Sequence, residues 1–144
     1  MVTTLSRRVR AREEGGFTLI ELLVVLVIIG VLLAIAVPSY LGFKDRANQR
    51  AASADVRSAV PSAEAYYADP NGGNGTYAGM TIAKLQAIDQ GTKLKDVIVS
   101  TPNGLTYCLD MTVGGKSSSV TRGQTPVGAG DVQEGTACPA TLAD

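Results

Sequence analysis

The chain has 144 residues, equal numbers of acidic and basic residues and no histidine, which leaves room for one modest domain and a helix. The lack of histidine excludes histidine-based acid–base catalysis and histidine metal sites. Residues 1–16 carry four arginines and two glutamates, so the remainder carries nine basic and eleven acidic residues. Because these basic residues are scattered along the remainder, they do not predict a nucleic-acid-binding surface.

A basic leader, residues 1–16, precedes an apolar segment at residues 17–40. As a helix, this segment would be about 36 Å long, enough to cross the hydrocarbon core of a membrane. The arginines flank its N-terminal end, so that end is expected in the cytoplasm and the C-terminal part outside. Glu21 is the one charged residue of the segment, and a carboxylate inside a membrane helix costs about 2.5–3.5 kcal/mol on insertion scales.

Two ordinary interpretations of this segment stay open. Residues 34–36, Ala-Ile-Ala, resemble the cleavage site of a secretory signal, which would release a secreted binding domain that begins at Val37. A permanent single-span anchor is the other interpretation. Glu21 argues against both, and the apolar segment is longer than that of an ordinary signal peptide.

Residues 16–21, Gly-Phe-Thr-Leu-Ile-Glu, followed by Leu-Leu-Val-Val, resemble the class III signal of type IV prepilins and the related pseudopilins. The resemblance is close over the leader and the apolar segment, and general over the rest of the chain. It implies that an aspartyl prepilin peptidase cuts between Gly16 and Phe17 on the cytoplasmic side, after which Phe17 is N-methylated. Because Gly16 has no side chain, a peptidase could approach the backbone closely there.

The same resemblance implies a role for Glu21 in filament assembly. Glu21 of an incoming subunit would neutralise the new amine of Phe17 in its neighbour. Moving an apolar helix from lipid into a bundle of similar helices gains little free energy, so this pairing would determine the register. An assembly platform with an ATPase motor would supply the work needed to extract the helix from the membrane. The alternatives are an interaction within one subunit, since Phe17 and Glu21 lie on one helical face, or a helix-start acid without a partner.

Gly30 and Pro38 are helix breakers within the apolar segment. Gly30 weakens a helix by about 1 kcal/mol relative to alanine, and Pro38 removes the backbone hydrogen bond to the Ala34 carbonyl. We therefore expect residues 30–38 to be the least stable helical part. In assembled pili of the family the corresponding region is extended, whereas a simple proline kink is the alternative.

Residues 41–68 are predicted to continue the helix as an amphipathic segment. Its apolar face is mainly alanine, which favours close approach to a sheet, and comprises Ala52, Val56, Ala59, Val60, Ala63 and Tyr67. Pro61 is expected to bend the helix. The helix should end near Asp69, before a glycine-rich loop that contains a possible glycosylation sequon at Asn74.

Residues 69–144 predict a small head. A short helix is expected at residues 81–89, followed by strands at 97–99, 105–113 and 118–122. Turn signals at 101–104 and 114–116 predict an antiparallel meander that packs one face on the alanine-rich helix. The predicted fold class is therefore α+β, a long N-terminal helix packed on a small antiparallel sheet, as in type IV pilins.

Cys108 and Cys138 are the only cysteines. In an exported region they are expected to form a disulfide that attaches the C-terminal segment to the second strand, whereas a cytosolic location would leave two free thiols. No catalytic residue, cofactor or metal site is predicted. Dispersed acids such as Asp110, Asp131 and Glu134 could bind calcium, but such residues are usually solvated.

The sequence thus predicts a structural protein and not an enzyme. The first hypothesis is a type IV pilus subunit, held in the inner membrane before assembly and forming a homo-oligomeric surface filament afterwards. Adhesion, twitching motility and DNA uptake are all compatible with it. The alternative is the major pseudopilin of a type II secretion system, which shares every N-terminal feature.

Overall fold

The structure is a computed structural model that describes residues 16–123 and 130–142. The predicted basic leader, residues 1–15, lies outside the described residues. The chain divides into two units, of which the first ends at Ser39 and the second begins at Tyr40.

Helix α1, Leu19–Ala68, joins the two predicted helical segments into one element of 50 residues. Its first half consists mostly of leucine, valine and isoleucine, whose side chains do not compete for backbone hydrogen bonds. The helix continues through Gly30, Pro38 and Pro61 without interruption. The bends predicted at the two prolines stay predictions.

The first unit contains the part of α1 that ends at Ser39. Its large apolar side chains are all exposed, from 46% at Ile29 to 83% at Leu19. The most apolar 18-residue window of α1 has a mean hydropathy of 3.2 and buries none of its residues, so by length and composition this helix could cross a membrane. Ser39 fits this surface because its hydroxyl donates to the backbone oxygen of Ile35, at 3.2 Å.

In the second unit, α1 buries the predicted alanine-rich face. The four fully buried residues of that face are Ala52, Val56, Ala59 and Ala63. Val60 and Tyr67 are half-buried against the same core. Tyr66, which was not assigned to this face, is buried as well, because residues three and four apart share one side of a helix.

A short second helix, α2 (Ile82–Ile88), follows the glycine-rich loop and matches the predicted helix at 81–89. Thr81 caps it, since its side chain accepts a hydrogen bond from the Lys84 N–H. Leu85 is the buried residue of α2 and attaches it to the core.

The sheet is an antiparallel meander in the order β1-β2-β3-β4. Its strands are β1 (Asp96–Val99), β2 (Thr106–Val113), β3 (Lys116–Gly123) and β4 (Gln133–Glu134). The first three correspond to the predicted strands, whereas β4 was not predicted. Gly104 closes the β1–β2 turn with a φ of +68°, and a Cβ there would lie 2.6 Å from the Ala78 nitrogen, so both conformation and space require glycine.

The core of the head lies between α1 and the sheet. Val56 and Ala59 from α1, Leu85 from α2 and Leu109 and Val120 from the sheet form one buried cluster. The predicted α+β fold, a long N-terminal helix packed on a small antiparallel sheet, is therefore confirmed.

Candidate functional site

Thr18 and Glu21 form a reciprocal cap at the start of α1. The Thr18 backbone N–H donates to Glu21 Oε2 at 2.9 Å, and the Thr18 hydroxyl donates to the same oxygen at 2.7 Å. The Glu21 N–H in turn donates to Thr18 Oγ1 at 3.3 Å. This is a capping box; the sequence carries its Thr-x-x-Glu signature, but the cap was not predicted.

The cap leaves Glu21 able to bind a further donor. Both hydrogen bonds from Thr18 go to Oε2, so Oε1 has no partner in the part of the chain that the structure describes. Glu21 is exposed, as are the apolar side chains around it. The carboxylate can therefore accept a hydrogen bond from another molecule, or form an ion pair with it, without breaking the cap.

Gly16 and Phe17 lie just before α1 in non-helical backbone. Both are exposed, and Phe17 is 84% exposed. The peptide bond at which cleavage is predicted is thus accessible at the end of the helix. Phe17 and Glu21 are both exposed here, and Phe17 precedes the first helical residue, Leu19.

Gly30 and Pro38 both lie within α1. A Cβ added at Gly30 would meet nothing within 4 Å. In the part of the chain that the structure describes, no contact requires glycine at this position.

Glu64 of α1 connects the helix to two tyrosines of the head. The Tyr107 hydroxyl donates to Glu64 Oε1 at 2.7 Å, and the Tyr77 hydroxyl donates to Oε2 at 3.0 Å. The two rings are in contact, with centroids 4.5 Å apart. Burial, followed by the hydrogen bond to Glu64, raises the pKa of both phenols, so they stay protonated donors at physiological pH.

Nearer the start of the second unit, α1 meets the sheet through polar contacts. Gln49 Nε2 donates to the Ser117 oxygen at 2.9 Å and to Ser118 Oγ at 2.7 Å. Ser53 Oγ lies 2.9 Å from Ser118 Oγ. Buried polar groups of this kind stabilise the fold only when they are satisfied, so this interface fixes the position of the β2–β3 hairpin on α1.

Cys108 and Cys138 form a disulfide, with Cα atoms 5.8 Å apart. Cys108 lies in β2 and is buried. The bond closes a loop with a sequence separation of 30 and attaches the C-terminal segment to the sheet. The predicted pairing is confirmed.

Asp110 is a buried carboxylate next to this attachment. It lies in β2, is 2% exposed, and accepts hydrogen bonds from the backbone N–H groups of Cys138 and Asp96. Its Oδ1 has no hydrogen-bond partner within the described ranges. Burial raises the pKa of the Asp110 carboxyl; the charge of Lys95 opposes this rise and the charge of Asp96 adds to it.

We expect the variant Asp110→Asn to change how the stability of the head depends on pH. Because the folded-state pKa of Asp110 is raised, its contribution to stability is full below the unfolded-state pKa and is lost as the pH rises through the folded-state pKa. The free energy of unfolding of the wild type, relative to that of Asp110→Asn, should therefore fall as the pH rises above about 3.9, by about 1.4 kcal/mol per unit of pKa shift.

Unfolding of the full chain in detergent, measured at a series of pH values, tests this expectation. The comparison with the variant cancels the contributions of the other carboxylates. A difference that stays constant or increases with pH would show that burial does not penalise the Asp110 charge.

The three acids considered for calcium do not form a metal site. Within residues 16–123 and 130–142, no group of three or more acidic or cysteine side chains lies close enough to hold a metal ion. Asp110 is buried in β2, whereas Glu134 Oε1 accepts a hydrogen bond from Ser53 Oγ at 3.2 Å.

Residues 12–37 match the family model described as the prokaryotic N-terminal methylation motif. The chain is 36% identical over 111 residues to the type IV narrow pilus major component PilA5 of Thermus thermophilus, a match that covers 68% of this chain and 96% of that protein. The chain belongs to the type IV pilin family.

Two further relatives bear on the role of this pilin. The type IV major fimbrial protein FimA of Dichelobacter nodosus is 30% identical over 107 residues, which covers 72% of this chain and 69% of FimA. The type II secretion system core protein G of Aeromonas hydrophila is 38% identical over 60 residues, or 42% of each chain. No solved structure matches the pilin.

The matches to PilA5 and FimA cover more of this chain than the match to core protein G does. A match over 68% or 72% of the pilin is longer than the part of the chain that ends with α1 at Ala68, so the similarity to PilA5 and FimA includes part of the head. The match to core protein G is shorter than that part of the chain.

Proposed function

We propose that this pilin is the structural subunit of a type IV pilus, a helical filament with the apolar halves of α1 in its core and the α+β heads outside. The observation that carries the proposal is the similarity to pilus major components that extends into the head. The exposed apolar surface of α1 supports it, since such a surface needs lipid or other copies as its surroundings. A repeated contact between two different faces that does not close gives a helical polymer.

Maturation would precede assembly. The precursor would lie in the inner membrane as a single-pass protein, with its basic leader on the cytoplasmic side. A prepilin peptidase would cut between Gly16 and Phe17, and Phe17 would then be N-methylated. The match of residues 12–37 to the methylation-motif model and the exposure of Gly16 and Phe17 support this order of events.

Assembly would use the charge that cleavage creates. Glu21 of an incoming copy would bind the Phe17 amine of its neighbour, and the unpartnered Oε1 of Glu21 suits this contact. An unpaired acid in lipid costs about 2.5–3.5 kcal/mol, whereas apolar helices gain little by leaving lipid for each other. The ion pair would therefore determine register and direction in the filament.

The partners follow from this energetic balance. Because packing supplies little net drive, removal of α1 from the membrane would require an assembly platform and an ATPase motor. The finished filament would lie on the cell surface, where adhesion, twitching motility or DNA uptake are the possible roles. We assign no catalytic function to the chain.

A pseudopilin of a type II secretion system is the second candidate. The similarity to core protein G over 60 residues favours it to that extent. Electron microscopy of cells with and without this subunit separates the two candidates. Long surface fibres that vanish on deletion support the pilus, whereas short periplasmic assemblies would support secretion.

We expect a mass spectrum of the protein from assembled fibres to begin at Phe17 and to carry one methyl group. The two cysteines should be oxidised, because Cys108 and Cys138 form a disulfide. The full-length precursor from cells that lack the peptidase is the matched control. A mature chain that begins at Val37 would contradict the pilin assignment and support a secreted domain.

A further inference from the structure

Three arginines lie along one exposed face of α1. Arg46, Arg50 and Arg57 are all exposed, and at about 100° per residue they fall within about 40° of one another around the helix. Within the described ranges the only ion pair joins Lys116 to Asp45, at 2.9 Å. These arginines therefore have no acidic partner within the described part of the chain.

An acid lies at the other edge of the same exposed surface. Asp55 is half-buried and lies about 140° around the helix from Arg50, because the two are five residues apart. Residues with this spacing do not face each other, so Arg50 and Asp55 cannot pair within one helix. Between the two edges runs an exposed strip of small residues: Ala47, Ala51, Ala54 and Ser58.

We propose that Arg50 of one copy pairs with Asp55 of the adjoining copy in the filament. The proposal rests on the proposed function, and specifically on the pairing of Glu21 with Phe17. An open polymer needs two different faces that complement each other, and the arginine edge and the Asp55 edge of α1 provide them. The small side chains between them allow two helices to approach closely.

The pairing of Glu21 with Phe17 fixes which arginine meets Asp55. It places residue 21 of one copy level with residue 17 of the next. Because Phe17 and Thr18 precede the first helical residue, Leu19, this axial offset lies between about 6 Å, for four helical steps, and about 10 Å, when the first two steps are extended. In a helical filament, one repeated screw operation relates each copy to the next, so every residue is displaced by the same axial distance. The offset therefore applies along all parts of α1 that run parallel to the filament axis. Asp55 of the first copy is then level with residues 49–51 of the second.

Arg50 is the arginine at this level. It lies within this range, whereas Arg46 and Arg57 lie at least about 4.5 Å and 9 Å from it along the axis. The copy that supplies Glu21 also supplies Asp55, and the copy that supplies Phe17 also supplies Arg50. Both contacts are therefore made by the same pair of neighbours.

A charge swap in the full-length pilin tests the proposal. We expect Arg50→Glu alone and Asp55→Arg alone each to lower fibre yield about tenfold or more, because like charges then face each other at the contact. The double variant Arg50→Glu/Asp55→Arg should recover most of the yield. The matched control Arg57→Glu/Asp55→Arg, which makes the same changes on the same face, should not recover it.

Cross-linking provides a readout that does not depend on yield. The double variant Arg50→Cys/Asp55→Cys, treated with a short thiol-reactive cross-linker in intact fibres, should give a ladder of multimers. Arg57→Cys/Asp55→Cys should give little. Suppose that wild-type fibres form and Glu21→Ala fibres do not. Absence of both the ladder and the recovery would then overturn the Arg50–Asp55 pair and leave the proposed function intact. Normal fibres from Glu21→Ala would overturn the pairing of Glu21 with Phe17, and with it the offset on which the Arg50–Asp55 pair depends.

Discussion

The variant Glu21→Ala should abolish fibres while the protein is still processed and inserted into the membrane. The Gly16–Phe17 junction and the apolar surface of α1 are unchanged in it, so the peptidase and the membrane should still accept the precursor. In the wild type, an unpaired Glu21 carboxylate costs about 2.5–3.5 kcal/mol in lipid, and pairing in the filament removes this cost. The variant loses that gain, which is roughly a hundredfold in the equilibrium constant for adding one copy. Fibre yield by shearing and electron microscopy, with the mature mass as a check on processing, measures this effect.

Glu21→Gln separates the intermolecular role from the capping of α1. Glutamine can take the place of glutamate in a capping box, so the hydrogen bonds with Thr18 can persist. It carries no charge, so it cannot neutralise the Phe17 amine. We expect this variant to be processed and to lack fibres as well. Normal fibres from Glu21→Gln would show that the cap, and not the charge, is what assembly requires.

Replacement of both cysteines, Cys108→Ser/Cys138→Ser, should lower the free energy of unfolding of the head by roughly 3–4 kcal/mol. The physical reason is that the bond closes a loop with a sequence separation of 30, which restricts the unfolded chain. For a domain of this size the melting temperature should fall by at least about 10 °C. Replacing both residues avoids a leftover thiol that could form bonds between molecules.

The near-ultraviolet circular dichroism of the tyrosines is the appropriate signal, because Tyr77 and Tyr107 lie in the core of the head. The full chain in detergent should be melted, and the wild type under reducing conditions should approach the variant. Fibre yield should fall in parallel. An unchanged melting temperature would mean that the β2 attachment of the C-terminal segment contributes little to stability.

The helices and the first three strands could be predicted because their signals are local. The uncharged run at residues 22–37 and the alanine periodicity after residue 41 both indicate helix, and α1 continues through Pro38 between them. The turn at residues 101–104 placed β1 and β2 correctly as a hairpin. Tyr66 was missed as a core residue because helical spacing puts both Tyr66 and Tyr67 near the apolar face.

The features that the sequence did not reveal depend on contacts between distant residues. Strand β4 has only two polar residues and no alternation, and it exists because it pairs with β3. The bond of Gln49 to Ser118 and the bonds of Glu64 to two tyrosines join residues far apart in the chain.

A structure of the purified filament that resolves Phe17 and Glu21 tests the central claim most directly. We expect the Phe17 amine of one copy to lie within about 4 Å of the Glu21 carboxylate of an adjoining copy, the distance of an ion pair. A Glu21 carboxylate that faces water, or that is bonded only to Thr18 of its own chain, would contradict this assembly mechanism.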